Sequence, residues 1–357
     1  MTSAQIPLSV IDWNSAIAFA GRWVRRVREE QVGAAMKIWI QMEKQQDINA
    51  DNVTFNILFD VACKAGKFAL AEVLLKEMED RGMELTRFLR TGKIFYHGLK
   101  RDGEGVRTSY QSMVDAGDFI DTAVLNCVIL GLIKAGEPSA AEQVFERMKG
   151  MKKDKTELPV RDWKAQKKLA NALVIAARGL RGRPDRWTPV QEATPVSPTV
   201  HTYRLLIRHH ALESGNIDRI SELVNEMQGS GMPLPGSIFY HIFNGFSLHG
   251  GVRYSSWTKG RLDRLYMLFL QQIEKYKEVN QDSQFAKSLP HEERGCYFDS
   301  GVVGHILKAY RQCAGREQVF EIWEEIIERW QPDEQQKAYQ HGWIADLRSE
   351  QPDNTAL

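Results

Sequence analysis

Apolar residues return every three or four positions through most of the chain, in short runs broken by glycine, proline or a charged pair. Val53, Phe55, Leu58, Phe59 and Ala62 make one such run, and Ala71, Val73, Leu74, Leu75 and Met78 make the next. That spacing places each set along one face of a helix. Gly66 lies between the two, where a helix C-terminus favours glycine, and Arg81-Gly82 closes the second. Two short amphipathic helices cannot bury both apolar faces alone, so the pair must stack on further pairs.

The pattern recurs with a fixed step. Asn56, Thr91 and Asn126 stand 35 residues apart, as do Met78, Met113 and Met148, and Thr86, Asp121 and Thr156. Lys64-Ala65-Gly66 returns two steps later as Lys134-Ala135-Gly136, with Arg101 at the intervening position. A period in the thirties marks a solenoid, in which each unit is one helix–turn–helix. Units are therefore expected at 52–86, 87–121 and 122–156. The whole of 10–156 forms an N-terminal block, and its first pair of helices is expected to be interrupted at Gly33.

Beyond this block the lettering weakens. Residues 157–199 are read as a basic insertion: an amphipathic helix over 161–181, with Leu169, Leu173, Val174, Ala177 and Leu180 inward. An extended linker marked by Pro184, Pro189, Pro195 and Pro198 follows it. Divergent units fill 200–335, with insertions at 251–260 and 280–295, and a tail runs over 336–357. The fold class expected is all-α, an α-solenoid of stacked helix–turn–helix repeats.

Composition narrows the function classes. Apolar residues make up 43% and charged residues 26% of the chain, which fits a folded protein rather than a disordered one. A net charge of +1 gives no global case for nucleic acid, but the charge is uneven. Residues 151–200 hold 11 Lys/Arg against 5 Asp/Glu, and residues 280–357 hold 8 against 14. No apolar run is long enough to span a membrane. The arginines near the N-terminus are mixed with Asp12, Glu29 and Glu30, which makes a poor organelle presequence. The chain is read as a piece of a longer protein or as one with atypical targeting. The four cysteines Cys63, Cys127, Cys296 and Cys313 form no CxxC pair and suit neither zinc nor a disulfide framework. There is no glycine-rich phosphate loop, and the histidines show no ligand spacing. No catalytic residue, metal site, cofactor or small-molecule substrate is expected.

The units resemble pentatricopeptide repeats. The resemblance rests on Asn52-Val53-Thr54-Phe55-Asn56, Cys63-Lys64-Ala65-Gly66, Ala71 to Met78 and Arg81-Gly82-Met83, and again on His201-Thr202-Tyr203 with Gly215-Asn216-Ile217-Asp218. Tetratricopeptide repeats have a shorter period and a Trp, Leu-Gly, Tyr and Ala lettering that is missing here. The irregular units and the long insertion resemble fungal and animal mitochondrial members of the family.

The resemblance implies a right-handed superhelix that reads single-stranded RNA, one nucleotide per repeat. In the family the fifth residue of the first-helix region and the last residue of the repeat select the base, and the second residue packs on it. Carried over, these are Val53, Asn56 and Thr86 in the first clear unit, Phe88, Thr91 and Asp121 in the second, and Ala123 and Asn126 in the third. Thr91 with Asp121 matches the family's guanine-preferring combination; Asn56 with Thr86 is not a standard pair. Arg204 with Pro235, Tyr240 and His305 depart from the pattern.

Lys164, Lys167, Lys168, Arg178 and Arg181 on the inserted helix are candidate phosphate contacts. Asn, Thr and Asp at these points are equally natural helix caps. The expected partner is a single-stranded organellar transcript, with a mitochondrial location implied by the family. The alternative is a protein-binding scaffold, such as an assembly factor of the mitochondrial ribosome or of a respiratory complex.

Overall fold

A computed structural model describes residues 8–22, 27–151, 163–280, 295–330, 342, 344 and 345. Among them every regular element is helical. The chain divides into two compact units, Met1–Thr156 with Lys168–Ser197, and Glu157–Lys167 with Pro198–Leu357.

In the first unit the helices are α1 (Val10–Arg22), α2 (Glu29–Gln46), α3 (Asn52–Lys64), α4 (Phe68–Asp80), α5 (Arg87–Leu99), α6 (Gly103–Asp115), α7 (Thr122–Ala135) and α8 (Pro138–Gly150). Each odd helix packs on the even helix that follows, and α1, α3, α5 and α7 pack on one another in turn. The odd helices thus form one layer and the even helices another, which is the solenoid the period predicts.

The period is also visible in the core. Ala71, Val106 and Ala141 are fully buried, as are Met78, Met113 and Met148, all at 0 or 1% exposure. Each buried methionine is worth about 2 kcal/mol of apolar transfer, so the methionine stripe is core packing. Where α5 meets α7, a β-carbon on Gly98 would stand 2.6 Å from the Gly131 Cα, so the two backbones touch through glycine.

Two expectations are corrected. Gly33 does not interrupt the chain: α2 runs through it from Glu29 to Gln46, started by the Gln31 side chain, which accepts from the Arg28 backbone N–H at 2.9 Å. One glycine costs a helix only about 1 kcal/mol, and Val32, Ala35 and Met42 are buried on either side of it. The stretch expected as an extended linker holds a helix over Pro184–Ala193. Pro184 sits in its first turn, where a missing N–H costs nothing. Pro189 lies inside this helix of 10 residues, and the Trp187 and Gln191 anchors described below hold the helix in place. We label the inserted helices α9 (Trp163–Gly179) and α10 (Pro184–Ala193).

The second unit repeats the hairpin plan with α11 (Val200–His209), α12 (Ile217–Gly229), α13 (Gly236–His249), α14 (Lys259–Asn280), α15 (Ser300–Ala314) and α16 (Arg316–Arg329). Here α13 packs between α11 and α15. The loop before α14 is pinned by Trp257, which is 3% exposed and donates from Nε1 to the Gly215 carbonyl at 2.8 Å. Most of the 280–295 insertion and most of the 336–357 tail lie outside the described residues. No helix among the described residues is long and apolar enough to cross a membrane.

Candidate nucleic-acid interface

The odd helices of the first unit begin alike. Asp51, Thr86 and Asp121 stand at the N-caps of α3, α5 and α7, and their side chains accept from the Thr54, Leu89 and Val124 N–H groups at 2.9, 3.2 and 3.0 Å. Each cap satisfies one of the unpaired N–H groups at a helix start. Because the caps lie one period apart, they orient the next residues alike. Val53 and Phe88 are consequently half exposed, at 51% and 50%, and Ala123 is exposed too.

One turn further on, Asn56 donates from Nδ2 to the Thr86 hydroxyl at 3.3 Å. The Asn56 and Asn52 side-chain oxygens are shielded from solvent and have no hydrogen-bond partner among the described residues. These side chains line a cavity of about 690 Å³. Its near wall is Asn52, Val53, Asn56, Thr86 and Phe88, and its far wall is the α9 stretch with Val174, Ala177, Arg178 and Arg181.

The α9–α10 insertion is held against the turn between α6 and α7. Leu173 and Ala177 are buried with Phe119, and Leu169, Leu180, Trp187 and Val190 pack around them. The Trp187 ring stacks on Phe119 at 5.3 Å, and its Nε1 donates to the Gly117 carbonyl at 3.0 Å. The Gln191 amide takes both backbone groups of Ile120, accepting its N–H at 2.8 Å and donating to its carbonyl at 2.9 Å. Thr122 donates its N–H to the Pro195 carbonyl at 3.0 Å. The far wall is therefore fixed in place by side chains on both helices.

Arginines beneath the cavity are paired. Arg90 holds Asp118 through two bonds of 2.6 and 3.0 Å and also donates to the Leu85 carbonyl at 2.5 Å. Arg87 lies 2.8 Å from the Asp121 carboxylate, both groups being buried. That distance makes an ion pair, although the N–H of Arg87 Nη2 is not aimed along a hydrogen bond. By contrast, Arg178 and Arg181 are exposed on the far wall, with no ion-pair partner among the described residues.

Residues 46–79 and 123–152 each match the family model of the PPR (pentatricopeptide) repeat. The chain carries pentatricopeptide repeats. It is similar to the solved pentatricopeptide repeat protein PPR10 in complex with an 18-nucleotide psaJ RNA element, at 16% identity and a TM-score of 0.34, over 97% of this chain and 49% of that one. The solved pentatricopeptide repeat protein PPR10 from maize gives 15% identity and a TM-score of 0.29, over 96% and 45%. The chain thus spans about half the length of these solved chains. No curated protein matches its sequence.

Around the two matched segments the structure sorts the expected contact residues. Val53, Asn56, Thr86 and Phe88 share one cavity wall. Thr91 is half-buried and its hydroxyl donates back to the Arg87 carbonyl at 2.9 Å. Asp121 and Asn126, expected to face a base, are buried at 5 and 7% exposure. For Asp121 the reason is physical: its carboxylate caps α7 and faces the Arg87 guanidinium.

Of the basic set, Arg178 at the end of α9 and Arg181 in the turn after it line the cavity, whereas Lys167 and Lys168 are exposed away from its lining. The Lys164 side chain lies outside the described residues. Sequence reading missed Asn52, Arg87, Arg90 and Asp118 as cavity residues. The signal available was the Arg87–Phe88–Arg90 cluster, with a cation three residues from a cation around an exposed aromatic.

The cysteine thiols are held protonated by burial. Burial pushes Cys63 up to about 12 and Cys127 up to about 11, and raises Cys296 and Cys313 as well. A neutral buried thiol is a packing group, not a nucleophile.

Proposed function

We propose that this protein binds single-stranded RNA through the first unit and acts on an organellar transcript, in mitochondrial RNA processing, stability or translation. One observation carries the reading. Val53 and Phe88, one repeat apart, present half-exposed apolar faces into a cavity whose amides and arginines suit a base edge and a phosphate. Apolar faces accept the flat side of a base, and a short amide reaches its edge. The contact set is Val53, Asn56, Thr86 and Phe88, with Asn52 added. Thr91 and Asp121 shape the groove from behind through Arg87.

Selection from a random single-stranded RNA pool at near-physiological salt tests this. The expected result is an enriched short motif bound well below micromolar Kd, with duplex RNA competing poorly. Sequence-blind binding at micromolar Kd or weaker, the level typical of non-specific electrostatics, would overturn it. So would a stable protein partner that co-purifies after nuclease treatment and competes with RNA for Phe88.

A further inference from the structure

We propose that the inserted helix α9 and the turn after it form a clamp, in which Arg178 and Arg181 hold the phosphate of the nucleotide whose base lies on Val53 and Phe88. This rests on the RNA-binding reading and adds a second wall to a surface that repeats alone would leave open.

Four observations carry it. The first is placement: the two arginines face the same cavity as Val53, Phe88, Asn52 and Asn56. The second is charge. Arg87 and Arg90 are neutralised by Asp121 and Asp118, which leaves Arg178 and Arg181 against Glu84 as the remaining charges in the lining. The cavity is therefore net positive by about one charge, and its unpaired cations sit at the end of α9 and in the turn that follows it.

Third, the near wall offers two amide groups, Asn52 and Asn56, whose oxygens are buried without a protein partner. A buried polar atom left unpaired costs about 1–3 kcal/mol, so each amide gains by turning its oxygen toward a donor on a base edge in the cavity. Which end of each amide faces the base is set by the base, since the group can turn. Fourth, the wall is anchored rather than loosely tethered, through Trp187 on Phe119 and Gln191 on Ile120. An anchored arginine gives up less conformational freedom on binding than one on a free loop. A cavity of about 690 Å³ lies within the range of sites that enclose a small ligand, enough for one nucleotide of a strand passing through.

The test is fluorescence anisotropy on the full chain with a labelled 20-nucleotide random-sequence RNA, repeated across a salt series. The variants are Arg178→Ala with Arg181→Ala, the conservative Arg178→Lys with Arg181→Lys, and Arg186→Ala as a control that removes an exposed arginine outside the cavity. The double alanine variant should bind about tenfold more weakly. Its salt slope should fall by about 0.7 for each phosphate that is no longer neutralised. The double lysine variant should recover most of the slope, and Arg186→Ala should match the wild type. An unchanged slope in the double alanine variant, or an equal loss in Arg186→Ala, overturns the clamp while leaving RNA binding standing. Failure of the wild type to bind any of the RNA overturns the RNA reading itself, and the clamp with it.

Discussion

The Arg87 guanidinium and the Asp121 carboxylate meet at 2.8 Å inside the fold, joining the first turn of α5 to the cap of α7. Their side chains are 5 and 8% exposed, so neither charge is served by solvent. Breaking one side of a buried pair leaves the other charge uncompensated, at about 3–5 kcal/mol. Asp121→Asn retains a good cap for Val124 but strands Arg87. We expect it to destabilise the first unit by about 3 kcal/mol, read as a lower urea midpoint. Thr86→Ala, which removes a cap and the Asn56 contact but no charge, should cost only about 1 kcal/mol. Equal costs for the two would show that the ion pair contributes little.

The repeat was legible because its signals are local. Met78, Met113 and Met148 are spaced by the period and buried by it, and Asp51, Thr86 and Asp121 recur as caps for the same reason. The α9–α10 insertion was half legible. Leu173 and Ala177 announce an apolar face, but Pro189 reads as a helix breaker, and only Trp187 on Phe119 and Gln191 on Ile120 show what holds that helix. The cavity could not be read, since nothing in the order of residues says that Arg178 lies across from Asn56. Asp121 was misjudged because its partner, Arg87, lies 34 positions away and follows no periodic rule.

Acid should act through Asp51. Its carboxylate accepts from the Thr54 N–H at 2.9 Å and from Asn14 Nδ2 at 3.0 Å. Burial alone would raise its pKa, but the hydrogen bonds from Thr54 and Asn14 together outweigh it, and the folded value lies below the usual aspartate range. A depressed carboxylate adds stability that is fully present above the unfolded pKa, about 3.9, and is lost as pH falls through the folded value. Asp51→Asn keeps an acceptor at the cap but does not titrate there. The stability gap between wild type and Asp51→Asn should hold steady from neutral pH to about 5 and shrink below about 4. Denaturant titrations across that window would show it, and a gap unchanged into strong acid would refute it.

The turn inside each repeat offers a gain rather than a loss. Gly66, Arg101 and Gly136 occupy the same point of successive repeats, and all three have positive φ, at 72, 60 and 86°. Their hydrogen bonds agree as well. Gly66, Arg101 and Gly136 donate to the Cys63, Gly98 and Ile133 carbonyls at 3.0, 3.0 and 3.1 Å. The residue after each, Lys67, Asp102 and Glu137, donates to the Ala62, His97 and Leu132 carbonyls at 2.9 Å in every case. The fold therefore imposes a left-handed residue here whatever the side chain is. An L-residue other than glycine pays about 1–2 kcal/mol for that conformation, and glycine returns about 0.5–1 kcal/mol of it as entropy in the unfolded chain. Arg101 is exposed and has no ion-pair partner among the described residues, so little is lost by removing it. Arg101→Gly should then raise stability by about 0.5 kcal/mol, seen as a higher urea midpoint with an unchanged slope. Gly66→Arg should lower it by a similar amount, because the same turn is asked of it with the residues exchanged.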